Sequence, residues 1–338
     1  MTTSALTATH PTLIDVSKRL DPNGKVDKVV ELMTQQNEIL EDMVWLECND
    51  GTGHKTTART GLPTPTWRKI YGGVQPGKST TTQVRDTTGM LEQYAEIDAV
   101  LAKLNNNSAE WRLSEEIAFI EAMNQEMAQT IFYGNEGTEP EAFTGLAPRF
   151  NSLSAANADN IIQNASIDNA AGPTGDNSSI WLIGWGPTSV HGIYPKGTKA
   201  GIEITDKGQV TVENIDGNGG RAEMLRQHYQ WFGGLSVRDW RYVVRVQIDQ
   251  EILAKDGTGV DLIDLMTQAT EMIPNLNLCR PAFYCNRRVR SFLRRQIVNK
   301  VAASTLTEDK VAGKRVTMFD GIPVRRCDQL LNTELAIT

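Results

Sequence analysis

One segment carries the letters of a phosphate-binding P-loop, running from Gly72 to Ser79 with Gly77 and Lys78 at the expected spacing. A working P-loop follows a buried strand and opens a helix, because the helix N-terminus supplies the N–H groups that hold phosphate. The residues after Ser79 are three threonines, which disfavour a helix, and Pro76 removes a backbone donor from the cradle. The sequence therefore predicts a turn here, and nucleotide binding by a P-loop enzyme is the minor alternative.

The other residue types that support catalysis are scattered, so no catalytic residue, cofactor or metal site is expected. The histidines considered as catalytic candidates sit in different segments, without a serine or cysteine nucleophile signature nearby. The four cysteines form no CxxC pair, which predicts free thiols rather than a zinc site. Two adjacent carboxylates on a long helix are interpreted as a solvated or interfacial face. These residues are His54, His191 and His228, Cys48, Cys279, Cys285 and Cys327, and Glu115 and Glu116.

The composition is typical of an ordinary soluble globular protein, with 40% hydrophobic and 22% charged residues. The formal net charge of −7 argues against a dedicated nucleic-acid binder, which is usually basic. With 338 residues the chain exceeds the roughly 250–300 at which single cores stop growing, so two packed units are expected. The longest strongly apolar run, 180–185, is too short to span a bilayer, and residues 1–10 lack a basic secretory region. We expect a cytoplasmic chain with no membrane partner.

The stretch 51–90 differs in composition from the rest of the chain, because it is rich in glycine, threonine and proline and has few large apolar residues. Such a stretch cannot bury a core of its own, and its threonines favour extended strands. We therefore predict a long two-stranded arm that projects from the body of the protein and needs an external surface to hold it.

The remaining pattern mixes helices and strands without βαβ alternation, which predicts an α+β fold. A long helix is expected over 108–133, with Leu113, Ile117, Ile120, Met127 and Ile131 as its apolar stripe. Further helices are expected over 26–44, over 260–273, and from the capping Asn286 to about Val301. Strands are expected over 91–101, 202–204 paired with 210–212, 240–249, 282–284, and 315–319 joined by a turn to 322–326.

The order of these parts resembles the start of tailed-bacteriophage major capsid proteins with the Hong Kong 97-like fold. An N-terminal arm, an extended glycine- and threonine-rich loop, a strand and one long spine helix follow each other in that series. Several segments also resemble capsid proteins of a short-tailed phage group, the podovirus type, and together they span nearly the whole chain. They are 37–42, 59–63 with Trp67 and Arg68, 143–146, 192–197 and 234–239.

The resemblance implies a division of the chain into an arm, a loop and two domains. The arm and first helix would cover 1–50, the extended loop 51–90, the peripheral domain with spine helix 108–133 would cover 91–140 and 176–250, and the axial domain 141–175 and 251–338. One departure concerns a strand at 320–324, which comes after the strand 240–248 rather than before it. This departure indicates a permuted strand order relative to familiar members.

The resemblance also implies a structural, non-enzymatic shell protein. Copies would form the hexamers and pentamers of an icosahedral head enclosing double-stranded DNA, touched by weak non-specific contacts. A separate scaffolding protein, a portal protein and a cement or decoration protein are the expected partners, with assembly in the bacterial host cytoplasm and a final place in the virion. An encapsulin-like compartment is the alternative with the same fold. A third alternative is a nucleic-acid binder built on 280–326, which has 12 basic residues against 3 acidic ones.

Opposite charges on different segments predict how copies would hold each other. The loop 51–90 has a net charge of +5, whereas 21–50 has −6 and the helix 108–133 has −4. In the family the loop lies over a neighbouring subunit, so the loop is expected to bind acidic residues there. The predicted loop contacts are Arg59, Leu62, Trp67, Arg68, Lys69 and Ile70, and the predicted acceptors are Glu38, Glu41, Asp42, Glu115 and Glu116.

Overall fold

The structure is a computed structural model that describes residues 11, 33–51, 53–103, 108–164, 177–213, 219–250, 253, 261–299, 306–311 and 314–337. Its helices are α1 (Ile39–Asp42), α2 (Ala99–Ala102), α3 (Ser108–Tyr133), α4 (Leu262–Met272) and α5 (Arg287–Asn299). Its strands are β1 (Trp45–Glu47), β2 (Gly53–Gly61), β3 (Thr80–Asp98), β4 (Ile161–Asn164), β5 (Asn177–Trp185), β6 (Val190–Tyr194), β7 (Ile202–Glu213), β8 (Arg221–Val237), β9 (Val243–Asp249), β10 (Arg280–Cys285), β11 (Leu306–Val311), β12 (Lys314–Phe319) and β13 (Ile322–Arg326). This mixture confirms the α+β class.

The chain forms two compact units. The first holds the described parts of Met1–Gln35, Met90–Met127 and Lys199–Phe232, and the second those of Gln36–Gly89, Ala128–Thr198 and Gly233–Thr338. Strand β3, helix α3 and strand β8 contribute residues to both units. The peripheral and axial domain bounds given above, and the permuted strand order, stay predictions.

The second unit is built on a sheet in which the strands follow the order β11-β12-β13-β10-β5-β6. Strand β9 pairs antiparallel with β5 and parallel with β4, and β1 pairs parallel with β6. Strand β5 is buried on both faces from Ser178 onward and contributes Trp181 and Trp185 to the core. A nearly continuous apolar strand of this kind is typical of a sheet that is covered on both sides.

Strand β9 is shorter than the predicted strand 240–249 and buried throughout. Trp240–Tyr242 forms a 3-10 turn instead, because the side chain of Asp239 accepts a hydrogen bond from the backbone N–H of Arg241. The polar residues Arg245 and Gln247 are as buried as their apolar neighbours. The alternation of polar and apolar residues therefore does not mark a solvent-facing side here.

In the first unit the two predicted short strands of 202–212 are one strand, β7. They do not pair with each other, since both pair antiparallel with β8, from Ile202 opposite Trp231 to Glu213 opposite Arg221. An irregularity between Asp206 and Gly208 interrupts the register, and Gly208 has a positive φ of 69°. Gly-containing irregularities of this kind allow a long hairpin to bend.

Helix α3 begins and ends where the sequence predicts. Its C-terminal half is buried through Met127 and Ile131, whereas Leu113 and Ile117 of the predicted apolar stripe are exposed in the monomer. The helix stops at Gly134, whose backbone N–H donates to Thr130. A Cβ at Gly134 would lie only 2.5 Å from the carbonyl oxygen of Phe143, so this close approach requires glycine.

Two further predicted elements need correction. Of the helix 26–44, only Ile39–Asp42 is helical within the described residues 33–44, and 26–32 lie outside them. The segment before α1 is extended because the backbone N–H of Glu38 donates to Arg326 and Asn37 forms a bridge with Cys327. The strand 91–101 ends at Asp98, whose carboxylate caps α2.

The C-terminal helices and strands agree more closely with those predicted from the sequence. Helix α4 begins after the capping residue Asp261, and α5 begins after Asn286, whose side-chain oxygen accepts from the N–H of Arg288. Strands β12 and β13 are joined by a turn in which Asp320 and Gly321 have φ values of 49° and 77°. Two successive positive φ values are typical of a tight hairpin turn.

Candidate functional site

The extended loop is a real two-stranded arm. Strands β2 and β3 pair antiparallel from Gly53 opposite Thr87 to Gly61 opposite Thr80. The residues between them, 62–79, contain no helix or strand. The prediction of an extended two-stranded loop is therefore confirmed, whereas its bounds 51–90 stay a prediction.

The end of this arm carries large apolar side chains that the monomer does not cover. Leu62, Trp67, Ile70 and Tyr71 are each at least 80% exposed. The predicted basic contacts Arg59, Arg68 and Lys69 are exposed beside them. Within the described part of the chain, none of these three cations has a carboxylate partner, and the guanidinium Nε of Arg68 donates to the carbonyl of Gly72 at 3.0 Å. We define the loop tip as residues 59–79.

The base of the arm is held by a buried carboxylate that the sequence analysis did not single out. Asp86 of β3 is 3% exposed and lies 2.9 Å from a guanidinium nitrogen of Arg149. The hydroxyl of Ser236 donates to the same carboxylate at 2.8 Å. Arg149 also donates to the carbonyls of Thr144 and Leu235. The arm is thus fixed at its base and uncovered at its tip.

The segment that resembles a P-loop lies in this loop tip and has the wrong surroundings for phosphate. Ser79 is followed by strand β3 rather than by a helix. Residues 73–79 are exposed, so no water-excluding cradle surrounds Lys78. Residues 72–79 are irregular, and the hydrogen-bonded turn lies just before them, where the backbone N–H of Gly72 donates to Lys69.

The five predicted acidic acceptors have different surroundings. Glu38 and Asp42 both pair with Arg325 of the same chain, at 3.4 and 2.9 Å, and Asp42 also accepts from the hydroxyl of Tyr284. Glu41 is exposed beside them. The other two, Glu115 and Glu116, are half-buried on α3. Contact of the five with the loop of another copy stays a prediction.

The histidines and cysteines do not assemble a reactive centre. His54 and His191 meet edge to face with ring centroids 5.6 Å apart, and His191 is fully buried. The four cysteines are free, and burial raises the pKa of the Cys285 and Cys327 thiols to about 12, which keeps them protonated and unreactive. Among the described residues, no three His, Cys, Asp or Glu side chains lie close enough to share a metal ion. None of the described helices is long and apolar enough to cross a membrane.

A second buried ion pair holds the C-terminal segment and was also missed. Arg245 of β9 lies 2.9 Å from the carboxylate of Glu334, and both side chains are buried. The hydroxyls of Tyr133 and Ser179 donate to the same carboxylate. Burial, followed by the charge of Glu334, raises the pKa of Tyr133 far above its usual range, so this hydroxyl keeps its proton. The paired residues are 89 positions apart, and no local pattern links them.

Comparison with known proteins gives a consistent set of matches. The family model of major capsid protein GP7 matches residues 21–338. The near-atomic structure of bacteriophage Epsilon15 is similar with a TM-score of 0.77 and 38% identity, covering 97% of this chain and 98% of that one. The capsid of bacteriophage JBD30 has a TM-score of 0.52 and 8% identity over 88% of this chain and 92% of that one, which supports the fold alone.

More distant similarity adds nothing to this assignment. The holo-SrpI encapsulin complex from Synechococcus elongatus PCC 7942 matches with a TM-score of 0.43 and 11% identity, over 70% of this chain and 95% of that one. At that level the similarity carries no argument for a cargo compartment. A search of curated proteins gives no match.

Proposed function

The chain belongs to the family of major capsid protein GP7 and is a structural protein of a phage capsid with the Hong Kong 97-like fold, and we propose that its extended loop joins neighbouring copies in an icosahedral head. In this proposal the copies form hexamers and pentamers around double-stranded DNA. Assembly takes place in the host cytoplasm with a separate scaffolding protein and a portal, and a cement protein binds the finished shell. No catalytic activity is part of the proposal.

One observation carries the proposal, namely the contrast between the two ends of the loop. The base is fixed by Asp86 and Arg149, whereas the tip exposes Leu62, Trp67 and Ile70 almost completely. Monomeric proteins seldom leave several large apolar groups together in water, and such clusters mark binding surfaces. Because the loop has no core of its own, a second copy is the surface that would cover its tip.

Charge supplies the specificity in this proposal. The predicted partner surfaces contain Glu41 near the N-terminus and Glu115 and Glu116 on α3, whereas the loop tip contributes cations. Each exposed pair contributes only about 0.2–1 kcal/mol, but a closed shell repeats it many times. High salt should weaken these contacts, since the Debye length falls to about 3 Å at 1 M.

Two matched variants separate the apolar and the electrostatic parts. The first replaces Leu62, Trp67 and Ile70 by serine, and the second reverses the charges of Arg59, Arg68 and Lys69 to glutamate. Both sets are exposed in the monomer, so the free energy of unfolding of the unassembled chain should stay within about 0.5 kcal/mol of the parent. Particle formation, followed by light scattering and negative-stain microscopy from low to high salt, should fall for both variants.

The outcomes are distinct. If the charge-reversed variant assembles as well as the parent at low salt, the electrostatic part is wrong and the apolar tip and backbone pairing hold the loop. If the serine variant also assembles normally, the loop is not the joining element. Nucleotide binding that Lys78→Ala abolishes would contradict the proposal that the chain is a structural shell protein only.

A further inference from the structure

Helices α4 and α5 of the second unit pack against each other through their inner faces. Leu265, Met266 and Ala269 of α4 and Val289 and Leu293 of α5 are buried. The side-chain oxygen of Gln296 on α5 also accepts from the backbone N–H of Leu262, at 3.0 Å, which ties α5 to the start of α4. The opposite faces of both helices are polar and exposed.

The outer face of α5 is basic. The helix contains five arginines and no acidic residue. Arg288 and Arg295, seven positions apart, are both exposed on this face, with Ser291 between them. The guanidinium of Arg295 lies 4.3 Å from the ring centroid of Phe292, and this cation–π contact holds it against the helix.

The outer face of α4 is acidic with the same spacing. Asp264 and Glu271 are seven positions apart and exposed, with Thr267 and Gln268 between them on the same stripe. The amide of Gln268 donates to the Asp264 carboxylate at 2.8 Å and holds it in place. Two residues seven apart lie on one face of a helix, about 10.5 Å apart along its axis.

These four charges have no oppositely charged partner inside the chain. Among the described residues, neither Arg288 nor Arg295 pairs with a carboxylate, and neither Asp264 nor Glu271 pairs with a cation. Other arginines nearby do have partners, as Arg287 does with Asp328 at 3.1 Å. The monomer therefore presents two stripes of opposite sign and equal spacing.

We propose that the arginine stripe of α5 in one copy binds the acidic stripe of α4 in the next copy. This contact rests on the proposed self-assembly and assigns it a second, separate interface. In this proposal the contact is head-to-tail, with the arginine stripe of each copy on one neighbour and its acidic stripe on the other. Head-to-tail contacts close into rings when the rotation permits, which is the geometry that hexamers and pentamers need.

Nucleic acid fits these stripes less well. Phosphates would match Arg288 and Arg295, but α4 packs beside α5 and its carboxylates would repel the same polyanion. A second copy satisfies both stripes at once, so the structure favours protein over DNA as the occupant.

A charge-swap experiment on the full-length chain tests the contact. The variants are Arg288→Glu with Arg295→Glu, Asp264→Lys with Glu271→Lys, and the combination of all four changes. The matched control is Arg288→Lys with Arg295→Lys, which keeps the charge. Each is expressed with the neighbouring genes of the phage, and particle yield is measured by sedimentation and negative-stain microscopy at low salt.

Each reversal should lower particle yield several-fold, because two exposed pairs, each contributing up to about fivefold, are lost at every such contact. The fourfold variant and the lysine control should restore most of the parent yield, and a folding defect could not produce that rescue. If the parent forms normal particles but the fourfold variant gives no higher particle yield than the two double variants, the proposed contact is wrong. The proposed function would not be affected by that result.

Two further results separate the explanations. Reversed variants that assemble normally but no longer retain duplex DNA would assign the arginine stripe to nucleic acid and overturn the proposal. Failure of the parent itself to form particles under every condition would instead overturn the proposed function on which the contact rests.

Discussion

The ion pair at the base of the extended loop allows a test of how burial affects stability, because its two side chains differ in exposure. The carboxylate of Asp86 is 2% exposed and the side chain of Arg149 is 22% exposed. Arg149→Met would leave a buried carboxylate with only the Ser236 hydroxyl as partner, which should cost about 3–5 kcal/mol of unfolding free energy. Asp86→Asn keeps an acceptor oxygen and leaves Arg149 its two backbone carbonyls, so it should cost less, about 1.5–3 kcal/mol.

The assay is urea unfolding of the unassembled chain, followed by tryptophan fluorescence, for both single variants and the double variant. The double variant should lose clearly less than the sum of the two, with a coupling of about 0.5–3 kcal/mol. Glu96 on the same strand is the control, since its pair with Arg226 at 2.5 Å is more exposed, and Glu96→Gln should cost about 1 kcal/mol or less. Equal costs for Arg149→Met and Glu96→Gln, or strict additivity in the cycle, would refute the argument from burial.

Two other predictions concern buried groups of the second unit. Glu334→Gln should lower the unfolding free energy by about 3 kcal/mol and expose the C-terminal segment to proteolysis, because Arg245 loses its buried counter-charge; a loss below about 1 kcal/mol in urea unfolding would contradict this. Burial, with the nearby charges of His54 and Arg238, lowers the pKa of His191 to about 4, while Asp86 acts in the opposite sense. The unfolded chain therefore takes up a proton first as pH falls, and between about pH 6.5 and pH 4.5 the parent should lose about 2–3 kcal/mol more than His191→Leu in the same assay; parallel curves would exclude this role.

The sequence correctly predicts those elements whose structure depends on residues close together in the chain. Helix α3 has a serine at its start and a glycine at its end, and its bounds are as expected. The turn at Asp320 and Gly321 follows from residue types that tolerate positive φ. The extended arm follows from composition, because a stretch without large apolar residues has no packed alternative.

The sequence does not predict features that depend on contacts between residues far apart in the chain. Asp86 and Arg149 each look like ordinary surface charges in sequence, and only the fold brings them together. Strand β9 has an alternating pattern, yet Arg245 is buried because Glu334, from the C-terminal segment, reaches it. Within the described residues 33–44, the predicted first helix is limited to Ile39–Asp42 because the backbone before it pairs with residues 326–328. Tertiary pairing overrides local preference at each of these sites.

The distribution of satisfied and unsatisfied groups separates folding from assembly in this chain. Inside the second unit, the buried carboxylates of Glu334 and Asp86 have partners at hydrogen-bonding distance. At the loop tip Leu62, Trp67 and Ile70 are uncovered in the monomer, and among the described residues the charges on the outer stripes of α4 and α5 have no oppositely charged partner. A chain under selection to stay monomeric would cover or replace such groups, because exposed apolar clusters favour association. Their persistence at defined positions, with opposite charge on other segments of the same chain, is what a shell built from identical copies requires.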